Sequence, residues 1–77
     1  MITKGTKTIK GHILQIQEER FRLLGYTGQG FLFTLSHKAS ITIDDLEVWH
    51  KERRPVIVEY EGEPNLESAV ARSVKLS

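Results

Sequence analysis

The 77-residue sequence contains no cysteine. That excludes disulfide staples and every thiolate-based zinc or iron–sulfur site. It has only two prolines and six aromatic residues: three Phe, two Tyr and one Trp. Domains of this size bury about 60% of the surface their unfolded chain exposes, so few large side chains can be spared from the core. No apolar run approaches the roughly 18 residues of a membrane span. The opening Met1-Ile2-Thr3-Lys4-Gly5-Thr6-Lys7 lacks the apolar stretch of a secretory signal. The sequence therefore predicts one domain spanning residues 1–77, cytoplasmic and without a membrane partner, because a second core could not be filled.

Charge of one sign is also missing. The formal net charge is +1, whereas dedicated nucleic-acid binders carry a stronger basic excess to neutralise phosphate. The distribution along the chain says more than the total. Residues 1–40 hold six Lys or Arg against two acids, for +4, and residues 41–77 hold five against eight, for −3. The chain is basic in its first half and acidic in its second.

What is present is alternation of the β type. Thr6-Lys7-Thr8-Ile9-Lys10-Gly11-His12-Ile13 has the period of a half-buried strand. The phase slips where Ile13 and Leu14 are adjacent and resumes at Leu14 and Ile16. Such a slip turns side chains to the other face unless a bulge absorbs it. Gly11 just upstream offers backbone freedom for the bend. The first strand is therefore expected to be long and sharply curved. After the polar break Glu18-Glu19, a second strand carries Phe21 and Leu23 alternating with Arg20, Arg22 and Leu24. Tyr26-Thr27-Gly28-Gln29-Gly30 is expected to be a hairpin loop in which both glycines can take positive φ. A third strand follows with Phe31, Phe33 and Leu35 on one face.

Thr42 with Asp45 three residues later has the pattern of a capping box, and Ile41 with Leu46 that of a hydrophobic staple. Asp44 and Asp45 in the first turn and Lys51 in the last suit the helix dipole. Ile43, Leu46, Trp49 and His50 fall on one side, and Arg54-Pro55 stops the helix. Pro55–Glu61 is a fourth strand with Val56, Val58 and Tyr60 in phase. Gly62–Asn65 is a loop, and Leu66–Leu76 a fifth strand with Val70 and Val74 in phase.

The order βββαββ, with a bent, glycine-bearing first strand and the helix between strands three and four, resembles the OB-fold, a five-stranded Greek-key barrel. The resemblance lies in topology and rests on no diagnostic motif. An SH3-like barrel and an open α+β sheet are the alternatives. Closure suits a small chain, because it removes exposed edges and gathers the apolar faces into one core.

No enzymatic constellation is found, and no cofactor is expected. Gly28-Gln29-Gly30 lacks the third glycine and the following helix of a dinucleotide fingerprint. Ser36-His37 is no nucleophile–base pair, since neighbours on a strand point to opposite faces. His12, His37 and His50 have no metal-site spacing, and His50 is expected to cap the helix C-terminus. Gly30-Phe31-Leu32-Phe33 resembles the aromatic strand of RRM and cold-shock modules, but in so small a core these rings are needed for packing. Function is then expected on an outer face. OB-folds bind ligands on the face of strands two and three. Here that face offers Arg20, Arg22 and Tyr26, with Lys10 and Lys38 flanking. The expectation is a small non-catalytic binding module with a protein partner, as a monomer or weak homo-oligomer. Its alternative is weak single-stranded nucleic-acid binding on that face, limited by Glu59, Glu61, Glu63 and Glu67.

Overall fold

The computed structural model describes residues 6–63 and 69–77. The first strand, β1 (Thr6–Gln17), is long because it serves two neighbours. Its first part pairs antiparallel with β4 (Pro55–Glu61), from Thr6 opposite Glu61 to His12 opposite Pro55. Its second part pairs with β2 (Arg20–Gly25), from Gly11 opposite Gly25 to Gln17 opposite Arg20. Gly11 stands where the ladders overlap. A Cβ on it would lie 2.2 Å from the Leu24 carbonyl oxygen. The glycine is thus required for close backbone approach, and its φ is ordinary. The phase slip is a bulge between Ile13 and Gln15. Leu14 keeps the outward phase set by inward Ile13 and is 45% exposed, and the bulge brings Ile16 back inward after outward Gln15. Leu14 is therefore not on the core phase that its spacing to Ile16 implied.

A tight turn at Glu18-Glu19 joins β1 to β2, with Glu18 at φ 57°. The loop from Tyr26 to Gln29 joins β2 to β3 (Gly30–Leu35) and is closed by the Gly25 N–H on the Gln29 carbonyl at 2.9 Å. Gly28 has φ 91°, but Gly30 does not enter the left-handed region, so one glycine and not two meets the turn's demand.

The helix α1 (Ile43–Lys51) begins with the expected capping box. Thr42 Oγ1 accepts from the Asp45 N–H, and Asp45 Oδ2 accepts from the Thr42 N–H at 3.0 Å. Leu46 is fully buried, and Ile41, Ile43 and Trp49 pack against the core. Trp49 is therefore half-buried, Val48 is half-exposed, and His50 lies off the buried stripe. The helix ends in a Schellman motif: the Arg54 N–H donates to the Trp49 carbonyl and the Arg53 N–H to that of His50. The residue in the left-handed position is Arg53, at φ 58°.

β5 is described as Ala69–Leu76. The expected start of this strand at Leu66, the end of the preceding loop and Glu67 lie outside the described residues. β5 pairs antiparallel with β4 and, through Ala69–Ala71, parallel with β3. The strand order β1-β2-β3-β5-β4 closes into a barrel with α1 between β3 and β4, as expected from the sequence. A second bulge puts Glu59 opposite Ser73 but Tyr60 opposite Ala71. Val70 and Val74 are consequently out of phase: Val70 faces solvent and Val74 the core. Phe21, Leu23, Phe33, Leu46, Val56 and Val58 fill the interior. Phe33 stacks between Phe21 and Tyr60 at centroid distances of 5.4 and 5.1 Å. The aromatic strand is core, as expected.

Candidate binding face

Because β2 alternates strictly, burying Phe21, Leu23 and Gly25 sends Arg20, Arg22 and Leu24 outward. The register then fixes their neighbours. Arg20 lies between Gln17 of β1 and Thr34 of β3, and Arg22 between Gln15 and Leu32. Leu24 lies opposite His12. The outer face of β1, β2 and β3 thus has two sectors.

The first sector is cationic and rich in amides. Arg20 and Arg22 are two residues apart on one face, exposed, and make no ion pair among the described residues. Gln15, Gln17 and Leu32 complete a groove of about 210 Å3 between them. Several other surface cations are already spoken for: Lys7 pairs with Glu63, Arg54 with Glu52, and Arg72 with Glu61 at 2.8 Å. A guanidinium with no internal carboxylate is free to take one from a ligand in the two-pronged geometry that arginine favours.

The second sector is apolar. Three of the exposed large hydrophobic residues, Leu14, Leu24 and Tyr26, gather around His12. Tyr26 is 63% exposed, and its ring lies 6.2 Å from the His12 imidazole. Leu14 continues the outward phase of Lys10 and His12, and the bulge sets Gln15 outward beside it.

The five residues expected at the site are not all brought together. Arg20 and Arg22 adjoin, and Tyr26 stands just past the other end of β2. Lys10 points outward on β1 opposite Ile57, on the side of β4. Lys38 lies in the turn after β3, where its N–H donates to Ser36 Oγ. These two lysines stand at opposite ends of β2. Of the acids expected to limit the face, Glu59 and Glu61 sit on β4 and Glu63 just past it, and the strand order sets β4 apart from β2. Glu61 is paired with Arg72, and Glu59 accepts from the Ser73 hydroxyl. Closer to the face are Glu18 and Glu19, at the Arg20 end; Glu19 binds His37 at 3.1 Å.

His12 and His50 line one groove, whereas His37 lies apart with Glu19. The His50 imidazole does not cap the helix; backbone N–H groups do. Among the described residues no group of three or more His, Asp or Glu is placed to hold a metal ion. No helix among them is long and apolar enough to cross a membrane.

No protein-family model matches the chain, and no curated protein matches it. Its fold is similar to a solved one, the crystal structure of Ag(I)CusF, with a TM-score of 0.63 over 94% of this chain and 97% of that one. The likeness is one of fold. At 10% identity it carries no residue across.

Proposed function

We propose that this chain is a small non-catalytic binding module whose outer face of β1, β2 and β3 docks an extended segment of a protein partner. The observation that carries this is the adjacency of the two sectors: Leu14, Leu24 and Tyr26 beside two arginines that make no ion pair among the described residues. A segment with an apolar anchor followed by carboxylates matches that order. The anchor buries the leucines and the tyrosine, and the guanidiniums fix register and orientation. The silver in the similar structure offers no guide to this ligand, because the similarity is of fold alone.

A second reading, weak binding of single-stranded nucleic acid, draws on the same arginines with Tyr26 as a stacking platform. It gains from the acids of β4 lying away from β2, and loses from the small net charge. Amide chemical shifts separate the two. The probes are a short peptide of two leucines followed by three acidic residues, and a mixed-sequence single-stranded oligonucleotide at low salt. Peptide-induced shifts at Leu24, Tyr26, Arg22 and Arg20 are expected, persisting in part at higher salt. Shifts with the oligonucleotide alone, fading as salt rises, would favour the second reading. No response on this face to either probe sinks both.

A further inference from the structure

Beside the apolar sector, on the side of the helix, β1 and the end of α1 enclose a groove of about 250 Å3. Its lining is His12, Ile13, Leu14, His50 and Arg53. We infer that this groove is an oxyanion site for the phosphoryl group of a small phosphate monoester with an apolar substituent.

The donor set is one-sided. Arg53 supplies a planar fork of N–H groups, and each imidazole supplies at least one N–H. No carboxylate lines the groove. None of the three side chains makes a hydrogen bond or ion pair among the described residues; His12 has only its ring contact with Tyr26. A metal cation is a poor match, because the guanidinium repels it. Leu14, 45% exposed, gives the groove an apolar wall, so its occupant needs an apolar part as well as a charge.

The helix C-terminus would ordinarily oppose an anion, since its carbonyls carry partial negative charge. Here three of the last four carbonyls accept backbone N–H groups. The N–H groups of Glu52, Arg53 and Arg54 donate to Val48, His50 and Trp49 respectively, at 2.9 to 3.1 Å. Glu52, the nearest acid in sequence, is paired with Arg54. The left-handed position of a Schellman motif is cheapest for glycine, yet this chain places arginine there. A strained backbone that delivers a guanidinium to a groove is the kind of cost retained at ligand sites.

The groove shares His12 and Leu14 with the apolar sector of the peptide face, while His50 and Arg53 belong to the groove alone. The test is NMR of the His12 and His50 imidazoles and the Arg53 amide during titration with inorganic phosphate and with phenyl phosphate. All three signals are expected to move together and saturate, with phenyl phosphate acting at several-fold lower concentration. Arg53→Gly removes the charge while relieving the backbone, so it should weaken phenyl phosphate binding about tenfold or more and raise the melting temperature. The paired substitution Arg20→Glu and Arg22→Glu should leave the response intact. Binding unchanged in Arg53→Gly, equal affinity for the two probes, or shifts confined to Arg20 and Arg22 would overturn the site.

Discussion

Glycines separate most clearly at the scale of single residues. Gly11 is hemmed in by the Leu24 carbonyl and paired on both sides, so an added methyl has nowhere to go. Gly11→Ala is expected to cost about 3 kcal/mol or more, seen as a large drop in urea midpoint. At Gly30 an added methyl would meet nothing within 4 Å, and the φ is not positive. Gly30→Ala should be neutral or stabilise by about 0.5 kcal/mol, through the smaller entropy of the unfolded chain. Sequence marks both as glycines in a β context. Only the packing of β1 against β2 distinguishes a glycine required by contact from one that is not.

Individual elements were legible where their signals are local. The capping box of α1 joins residues three apart and formed, and the two residues with staple spacing, Ile41 and Leu46, lie against and in the core. Thr42→Ala should therefore cost about 1 kcal/mol in thermal or urea unfolding. The other end of α1 could not be read in the same way, because Arg53 occupies a position normally flagged by glycine. Arg53→Gly is expected to stabilise by about 1 kcal/mol, a rise in melting temperature of about 4–8 °C for a domain of this size. The strand errors share one cause. Leu14 and Val70 each stand on the wrong side of a bulge for simple alternation. A bulge is set by pairing with another strand, so its position is invisible along the strand itself. Arg20, Arg22 and Leu24 were legible because β2 has no bulge, and Tyr26 follows directly after it; Leu14, contributed by β1, was not singled out.

Over the whole molecule, scarcity of large side chains governs what can vary. Phe33 is fully buried between Phe21 and Tyr60. Phe33→Ala removes about 3–5 kcal/mol, against a total stability of order 0.05–0.15 kcal/mol per residue. That substitution should leave much of the chain unfolded at 37 °C by circular dichroism. The charge asymmetry read from the sequence takes spatial form once the barrel closes. Arg20 and Arg22 face outward on β2, while Glu59 and Glu61 stand on β4, with Glu61 neutralised by Arg72. The apolar sector and the arginines thereby share one continuous outer face. The most direct check is calorimetric titration of the leucine–acid peptide into the native chain and into the Arg20→Glu, Arg22→Glu double variant. The account predicts a loss of affinity of at least about tenfold with the urea midpoint unchanged, because both side chains are exposed and make no ion pair among the described residues. Equal affinity in the two proteins would contradict it.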